Sequence, residues 1–595
     1  MVVIGAIAGI IGHNLEPEGL NAVSRTMLQR GKYGTEHLQV KNGILLHSVR
    51  VPDECRCIRK SFGGETYALI FSGNLYNKAD LQQKLKCFSS DTGELILNAY
   101  LRWGKNFLIG LNGVFTIAVF EENKNRLFLA RDPMGICPLF YRKEGDCFLF
   151  ASEQKTMLAV PGAEAAIDKQ GALELIMLGP GRMPGSGVFR GIKELEPGCC
   201  CYFDAGNLEI FRYWQLKDGI HEDSIQETAD KIIFLVKDAV LKQTADCREI
   251  GTFLSGGLDS SILSAICGER YREKPLKTFS VDYLHNDINF KPGKFQPDSD
   301  DAYVEIMAEF LACRHSKTVL TAEDLISQLE EATIARDLPG MGDVDFSLLA
   351  FCKEVQKQVP TVLSGECADE IFGGYPWFFD RNQEEILEFP WACNTAFRRK
   401  LMEHPPADAE NFVQDACRDT CRHADILPDC SSEDRKAKEM TVLNMRWFMQ
   451  TLVERNDRMS TWAGLQVRVP FCDLRIAEYL YRIPWSMKIC QGREKGLLRH
   501  AVRDLLPESV RMRKKSPYPK TFDPIYETLI LRKTADLLLE DAPIWYLISR
   551  KTVAESLDRG TVGPFYGQLM RRPQFAAWIL QLDFWLKHYN IQFYY

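Results

Sequence analysis

The sequence has no long hydrophobic run and no recognisable leader for export. Within its 595 residues, no apolar stretch reaches the roughly 18 residues that a membrane-spanning helix needs. The N-terminus also has no basic segment followed by a continuous apolar segment and a cleavage site, which argues against a signal peptide. We therefore expect a cytoplasmic protein that acts without a membrane partner.

Positive charge is not in excess either. Lys and Arg total 73 against 80 Asp and Glu, which gives a formal net charge of -7. A surface that binds nucleic acid usually appears as a basic excess, so we expect no nucleic-acid partner. The short basic run Arg511–Lys515 therefore needs a local explanation.

Cysteine is abundant, but the spacings of a disulfide scaffold or a zinc site are missing. The 19 cysteines include the closely spaced groups Cys55–Cys57 and Cys199–Cys201, which are awkward for disulfide pairing. A further group matches no common zinc spacing and is better explained as a polar helix surface: Cys417, Cys421, His423 and Cys430. With no export signal, we expect reduced thiols.

The first residues, MVVIGAIAGIIGHN, contain no nucleophile. Glycines among branched apolar residues predict a buried strand that runs into turns. Chains that begin in this way often carry Ser, Thr or Cys at the N-terminus, where the free amine serves as general base. None of these three residue types occurs here before Ser24.

Length and a change of pattern along the chain indicate two large domains. Residues 1–205 contain short alternating apolar runs such as TYALIFSGNLY and GVFTIAVF, which predict packed sheets with few helices. In residues 206–595, strands that end in polar loops alternate with helices, which favours an α/β domain around a parallel sheet. An apolar stripe from Phe575 to Trp585 is typical of core or of a subunit interface, which leaves a homodimer open.

The segment SGGLDSS (Ser255–Ser261) carries the first chemical signal. Its glycines permit a tight loop between strand and helix, where backbone N–H groups and the Ser255, Ser260 and Ser261 hydroxyls form a cradle for pyrophosphate. Asp259 would repel phosphate unless a cation intervened, so its position implies Mg²⁺. A glycine turn followed by a helix cap accounts for the same segment without a ligand.

A second loop, LSGECADEIFGGY, places three carboxylates after another apolar strand. Carboxylates are costly there unless they bind cations or hydrogen-bond donors. Asp369 is the natural second ligand for a metal at Asp259, and Glu366 suits an amine-orienting or general-base role. Two lysines in basic segments, Lys495 and Lys515, would neutralise a triphosphate as pyrophosphate leaves.

With further landmarks, these segments make the chain resemble the glutamine-dependent asparagine synthetases over nearly its whole length. The landmarks are NLYN, ARDPMGICPLFY, SEQKTMLA, SGGLDSS, SGECADEIFGGYPWF, ERNDRMS, VRVPFCD and RKKSPYPK. The resemblance implies an N-terminal Ntn-hydrolase-like αββα sandwich of the class II glutamine amidotransferase type over residues 1–205. It implies an α/β PP-loop ATP pyrophosphatase domain, which adenylates its substrate, over residues 206–595.

The resemblance also implies roles for single residues of the second domain. Asp259 and Asp369 match Mg²⁺ ligands, and three positions match catalytic residues of the family: Glu366, Lys495 and Lys515. The positions that match the nucleotide site are Leu254, Ser255, Gly256, Gly257, Asp259, Ser260, Ser261, Gly365 and Ser280, which lies where the family holds adenine. In the implied reaction a carboxylate attacks the α-phosphate of ATP and releases pyrophosphate. An amine or ammonia then attacks the acyl-AMP and releases AMP.

The chain departs from the family in both domains. Cys367 replaces a glycine of the SGEG loop, and Gln466 replaces a glutamate before VRVPF. Each change is able to reshape the pocket for the acid or the amine, and each is equally able to be silent. These two positions therefore bear on the identity of the substrate and not on the type of reaction.

More positions differ from the family in the glutaminase site. Aligning GAIAG with the family's N-terminus puts Gly5 where the nucleophilic cysteine belongs. The arginine that clamps glutamine falls at Val49, beside Arg50, and the Asn-Gly oxyanion pair is Ser72–Gly73, whereas Asp91 matches a retained glutamine ligand. Without the nucleophile no thioester forms, so we expect no glutaminase activity.

Three functions remain open on the sequence. The first is an ATP-dependent ligase that joins aspartate or a related acid to free ammonia. The second is a biosynthetic amide former on a small-molecule or peptide carboxylate, like the similar lasso-peptide cyclases and β-lactam synthetases. The third is a non-catalytic partner subunit, which the retained Asp259 and Asp369 argue against.

Overall fold

The computed structural model describes residues 5–13, 15–49, 57–271, 274–292, 298–380, 386–559, 564–567 and 570–594. They divide into two units, which are described separately. The first lies within Met1–Asp168 and Met183–Gln215 with Tyr594, and the second within Lys169–Arg182 and Leu216–Phe593. Among the described residues, no helix combines the length and the apolar character that crossing a membrane requires.

The first unit consists of two antiparallel sheets with short helices. Its strands are β1 (Ile7–Ile11), β2 (Thr35–Val40), β3 (Gly43–Ser48), β4 (Cys57–Phe62), β5 (Glu65–Leu75), β6 (Gly113–Glu121), β7 (Arg126–Arg131), β8 (Phe140–Glu144), β9 (Cys147–Ala151), β10 (Ala166–Asp168), β11 (Lys193–Glu194), β12 (Cys199–Asp204) and β13 (Asn207–Arg212). Its helices are α1 (Pro17–Met27), α2 (Lys78–Leu85), α3 (Thr92–Trp103) and α4 (Gln154–Leu158). One sheet has the order β11-β8-β9-β1-β3-β2, and the other the order β13-β12-β7-β6-β5-β4.

Alternation along the strands explains why these sheets stack. On β5, Ala68 and Ile70 pack into a core shared with Phe150 of the other sheet, whereas Leu69 and Phe71 pack on the opposite face. That opposite face is covered by α3. Because successive side chains of a strand point to opposite faces, a run that is apolar throughout is buried on both. The predicted αββα sandwich is confirmed.

The second unit is an α/β fold around a parallel sheet. Its strands are β14 (Gly251–Phe253), β15 (Lys277–Tyr283), β16 (Arg314–Leu320), β17 (Thr361–Leu363) and β18 (Gln466–Arg468), and β19 (Gln592–Tyr594) follows at the end of the chain. Strands β14 to β18 form one sheet in the order β16-β15-β14-β17-β18, with every pair parallel. The predicted open parallel sheet is confirmed. The boundary at residues 205 and 206 stays a prediction.

Helices make up most of the rest of the second unit. They are α5 (Lys169–Leu173), α6 (Ile225–Gln243), α7 (Leu258–Arg270), α8 (Asn286–Asn289), α9 (Asp301–Phe310), α10 (Ala322–Ser327), α11 (Leu329–Arg336), α12 (Asp343–Gln356), α13 (Ala368–Phe372), α14 (Thr395–Leu401), α15 (Ala409–Arg422), α16 (Ser432–Leu443), α17 (Met449–Trp462), α18 (Leu474–Arg482), α19 (Trp485–Lys488), α20 (Gly496–Ala501), α21 (Glu508–Arg511), α22 (Pro524–Leu537), α23 (Arg550–Arg559) and α24 (Arg572–His588). The apolar stripe on α24 is core, because Phe575, Trp578 and Trp585 are all fully buried. The stripe therefore gives no support to a homodimer.

One expectation about the cysteines is wrong. Cys367 and Cys472 form a disulfide with their Cα atoms 5.6 Å apart, across 105 residues of sequence. This pair could not be predicted from the sequence, because neither cysteine belongs to a recognisable spacing. Cys200 and Cys201 are free thiols, and Cys55 lies outside the described residues.

Candidate active site in the second unit

The carboxyl ends of three neighbouring strands, β15, β14 and β17, border a cavity of about 370 Å³ within the second unit. Ligands of open α/β sheets bind at such an edge. Most of the residues predicted for the site line this cavity: Leu254, Ser255, Gly257, Asp259, Ser260, Ser280, Gly365, Glu366, Asp369, Lys495 and Lys515. Gly256 and Ser261 do not line it. Gly256 shapes the loop, and the hydroxyl of Ser261 on α7 is buried.

The loop between β14 and α7 is built as a tight turn. Gly256 has a φ of +64°, and a Cβ placed there would lie 2.5 Å from the Cβ of Tyr303, so only glycine fits. The hydroxyl oxygens of Ser255 and Ser260 lie 3.2 Å apart, and Ser255 Oγ accepts a hydrogen bond from Gly257 N at 3.4 Å. These groups meet at the N-terminus of α7, where N–H groups and the helix dipole favour an anion.

A second glycine brings the β14 and β17 loops together. A Cβ on Gly365 would lie 2.9 Å from the Cβ of Asp259 and 3.1 Å from Ser260 N. The two loops therefore touch through backbone at this point. As a result Asp259 and Asp369, which are 110 positions apart, share one partner.

That partner is Lys495. Its Nζ donates to Asp259 Oδ2 at 2.5 Å and forms an ion pair with Asp369, whose other oxygen lies 2.6 Å from Lys515 Nζ. Burial raises the pKa of Asp259, although Lys495 opposes the rise. Burial also opposes ionisation of Asp369, but Lys495 and Lys515 outweigh it and lower the pKa of Asp369 to about 2. The four groups form a nearly balanced cluster of two cations and two carboxylates.

The two carboxylates fit a magnesium ion that phosphate oxygens would help to hold. Among the described residues, no three His, Cys, Asp or Glu side chains are grouped as a metal site. Mg²⁺ commonly takes only one or two carboxylates and fills its shell with water and phosphate. Asp259 Oδ1 is buried and accepts no hydrogen bond, so this oxygen is available as a ligand for Mg²⁺.

Glu366 lies beside this cluster and is held by an arginine. Arg455 Nη2 donates to Glu366 Oε1 at 2.9 Å, while Glu366 Oε2 is buried without a hydrogen-bond partner. Burial raises the pKa of the Glu366 carboxyl, and Arg455 opposes the rise. The Arg455 guanidinium lies 5.4 Å from the centre of the Tyr518 ring. This leaves one carboxylate oxygen of Glu366 available to a ligand.

The Asparagine synthase family model matches residues 231–587, and the Glutamine amidotransferase domain model matches residues 4–214. The chain belongs to the asparagine synthase family. It is 41% identical over 549 residues to Asparagine synthetase [glutamine-hydrolyzing] 3 of Bacillus subtilis, covering 89% of each chain. It is 26% identical over 544 residues to Asparagine synthetase [glutamine-hydrolyzing] of Gallus gallus, covering 86% of this chain and 82% of that protein.

A solved structure of glutamine phosphoribosylpyrophosphate amidotransferase from B. subtilis also matches, with a TM-score of 0.28 and 16% sequence identity. The match covers 52% of this chain and 65% of the other.

Membership of the asparagine synthase family makes the chain an ATP-dependent carbon–nitrogen ligase of the AMP-forming type.

The structure adds Arg513, which the sequence did not single out within its basic run. Arg513 Nη1 donates to the carbonyl of Ser255 at 3.0 Å, and Nη2 pairs with Asp300 at 2.5 Å. The guanidinium also lies 4.1 Å from the ring centre of Tyr303. The run is therefore explained locally, since Arg513 and Lys515 both serve this cavity. In the sequence, the only signal for Arg513 is the density of basic residues around it.

The two family departures have different surroundings. Cys367 lines the cavity and directly precedes α13 with a φ of +76°, a conformation that favours glycine. Gln466 lies in β18 outside the cavity, where its Oε1 accepts from Thr361 Oγ1 at 3.3 Å and from Arg468 Nη2 at 3.1 Å. Of the two, Cys367 is therefore the one that bears on the cavity.

Proposed function

We propose that the second unit adenylates the side-chain carboxylate of aspartate with Mg-ATP and transfers the acyl group to ammonia, forming asparagine, AMP and pyrophosphate. The observation that carries this proposal is the cluster of Lys495, Lys515, Asp259 and Asp369 at the start of α7. It combines cations for phosphate with carboxylates for the cation that accompanies ATP. Pyrophosphate departure requires both the cations and the metal-binding carboxylates. A purely structural ion pair would need neither the anion cradle nor the cavity beside it.

In the first step the aspartate carboxylate attacks the α-phosphorus of ATP, and the bond to the bridging oxygen of pyrophosphate breaks. Negative charge then grows on the departing phosphates. Lys495 and Lys515, which pair with Asp259 and Asp369 in this structure, would turn toward those oxygens. Asp259 and Asp369 would hold Mg²⁺, which neutralises phosphate charge when bound. The buried Asp259 Oδ1 supports this assignment.

In the second step ammonia attacks the acyl carbon and AMP leaves. The attacking nitrogen gains positive charge and must lose a proton. Glu366 Oε2 is the available acceptor, because Arg455 engages Oε1 alone. Arg455 thus acts as a positioning residue for Glu366.

We also propose that the first unit has no glutaminase activity. Gly5 stands where the family's nucleophile belongs, and a Cβ there would lie 2.9 Å from the carbonyl oxygen of Ser48. Ser72 Oγ donates to Gly5 O at 3.0 Å, and Ser48 Oγ accepts from Ala6 N at 2.6 Å, so both serines serve the backbone of this strand. Asp91 is exposed and caps α3 by accepting from Glu94 N at 2.8 Å. Arg50 lies outside the described residues.

The test is pyrophosphate release and asparagine formation from Mg-ATP and aspartate, with ammonium chloride or glutamine as nitrogen source. We expect turnover with ammonium and none with glutamine. Lys515→Met and Glu366→Gln should lower the rate at least about 100-fold, because each removes a charge that acts in a transition state. Lys533→Met, on an exposed position of α22, is the matched control and should leave the rate unchanged.

Each part of the proposal has its own contrary result. Glutamine-driven turnover would disprove the loss of glutaminase activity. Pyrophosphate release with other acids but not aspartate would replace aspartate by a dedicated substrate. Absence of pyrophosphate release with every acid tested would contradict the adenylation itself.

A further inference from the structure

A histidine that does not line the cavity connects Ser280 to the interior of the sheet. In the parallel pairing of β15 and β16, Thr278 lies opposite His315, and Ser280 lies two residues further on. His315 bridges the two hydroxyls: its Nδ1 is 2.9 Å from Thr278 Oγ1, and its Nε2 is 2.9 Å from Ser280 Oγ. Of these three residues, only Ser280 lines the cavity.

The protonation of the imidazole couples the two hydroxyls. Burial lowers the pKa of His315 and Lys317 adds to this, while Asp301 opposes it, so the net effect favours the neutral ring. A neutral imidazole has one N–H donor and one acceptor nitrogen. One hydroxyl must therefore donate to the ring while the other accepts from it.

A cysteine fixes the direction of this chain of hydrogen bonds. Thr278 Oγ1 also lies 3.2 Å from Cys313 Sγ, so the single Thr278 proton has two acceptors to choose between. An imidazole nitrogen is a strong acceptor, whereas sulfur is a weak one. Thr278 therefore donates to His315 Nδ1 and accepts from the Cys313 thiol. The His315 proton then lies on Nε2 and is donated to Ser280 Oγ.

The consequence appears at the cavity wall. Because Ser280 Oγ already accepts from His315, its own proton is left for another acceptor. The lining of the cavity includes the rings of Phe253, Phe290 and Phe351, and the ring centres of Phe253 and Phe351 lie 4.9 Å apart. A flat ring that carries an unprotonated nitrogen can pack on such side chains and accept from Ser280, and adenine has several of these nitrogens.

We propose that His315 is a positioning residue for nucleotide recognition, which holds the Ser280 hydroxyl as a donor toward a ring nitrogen of the ATP base. This inference rests on the proposed function in one respect, namely that the cavity binds ATP. The buried Thr278 takes part without touching the nucleotide, because it decides which ring nitrogen of His315 carries the proton.

The direct test is the tautomer of His315, read from the ¹⁵N shifts of its ring nitrogens in the wild-type protein. We expect Nε2 to carry the proton and Nδ1 to be unprotonated. A proton on Nδ1 would overturn the inference, because Ser280 would then have to donate to the ring. This measurement needs no substrate.

The second test is the affinity for Mg-ATP, measured by titration calorimetry on three variants. Thr278→Val removes the hydroxyl at nearly constant shape, and Thr278→Ser keeps it and serves as the matched control. We expect Thr278→Val and Ser280→Ala each to weaken ATP binding about 3- to 10-fold, the worth of one neutral hydrogen bond, and Thr278→Ser to match the wild type. In the double variant Thr278→Val/Ser280→Ala the two losses should not add.

The two proposals fail in different ways. Equal ATP affinity of the wild type, Thr278→Val and Ser280→Ala would overturn the role of His315 and leave the ligase function standing. A wild-type protein that binds ATP but releases no pyrophosphate would contradict the proposed function. It would leave the role of His315 standing.

Discussion

Arg513 donates a hydrogen bond to the backbone carbonyl of Ser255, 258 positions earlier in the chain, at 3.0 Å. The same guanidinium is paired with Asp300 and lies over the ring of Tyr303, the residue that a side chain at Gly256 would strike. The tight loop before α7 is therefore fixed from outside by one buried arginine. This relationship makes Arg513 a part of the proposed nucleotide site that never has to touch phosphate.

Replacing Arg513 should weaken the loop rather than the chemistry. For Arg513→Met we expect kcat/KM for ATP to fall about 10- to 100-fold, mainly through KM, because a charged hydrogen bond to the loop is lost. Steady-state pyrophosphate release measures this. Arg511→Gln is the control, since the ion pair of Arg511 with the exposed Glu508 is long at 3.6 Å. A fall in kcat at constant KM would contradict this role.

Gly365→Ala should impair the protein through contact between its two loops. The added Cβ would lie 2.9 Å from the Cβ of Asp259, and backbone neighbours give way poorly. We expect the free energy of unfolding to fall by about 1–3 kcal/mol and pyrophosphate release to fall with it. Urea unfolding and the release assay test both. Gly110→Ala, with nothing within 4 Å of the added methyl, should change neither.

Because Cys367 and Cys472 form a disulfide, we expect both to be protected from alkylation. After unfolding without reductant, alkylation and peptide mapping should leave Cys367 and Cys472 unlabelled, whereas cysteines such as Cys352 and Cys417 react. Reduction should lower the free energy of unfolding by about 2–4 kcal/mol, because the bond closes a long loop of the unfolded chain. Full labelling of both residues without reductant would contradict the disulfide.

Lys488 predicts how stability depends on pH. Burial lowers the pKa of Lys488 to about 7, and Lys438 adds to the effect, whereas an unfolded lysine has a pKa of about 10.4. Between these values the unfolded chain binds one more proton than the folded one, so the free energy of unfolding should rise with pH by about 1.4 kcal/mol per unit. Below pH 7 Lys488 is protonated in both states, so the full cost of burying its charge is present and no longer changes with pH.

Lys488→Met should remove that slope and stabilise the protein at pH 7, since no buried amine is left to deprotonate. Chemical unfolding at pH 7, 8 and 9 measures the difference between variant and wild type. Lys533→Met on exposed α22 is the control and should keep the wild-type slope. An unchanged slope in Lys488→Met would show that the lysine is charged in the folded state.

Much of the site could be predicted because its chemistry lies in contiguous segments. A strand, a glycine turn and a helix start are local, so SGGLDSS indicated an anion cradle and SGECADE a carboxylate loop before any tertiary contact was known. Strand order then brings the two together, because β14 and β17 are neighbours in the sheet. Ser261 stays a prediction, and its buried hydroxyl does not line the cavity, because the sequence does not say which side of α7 faces the cavity.

Other features depend on pairs that are distant along the chain. The Arg455–Glu366 pair, the hydrogen bond of Arg513 to Ser255 and the His315–Ser280 pair span 89, 258 and 35 positions. Nothing in a single sequence tells which arginine or histidine reaches which partner. The Cys367–Cys472 bond belongs to the same class, and for that reason reduced thiols were expected where a disulfide formed.

The sequence by itself determined the two architectures, the two site loops and the absence of a nucleophile near its start, because each is encoded in local periodicity, turn residues or residue identity. Only the tertiary structure decided how the charges are partnered. Lys495 is shared between Asp259 and Asp369, and one oxygen of Glu366 stays open while Arg455 takes the other. Partnership depends on distances of a few ångströms between separate elements, and those distances exist only once the sheet has aligned its strand ends.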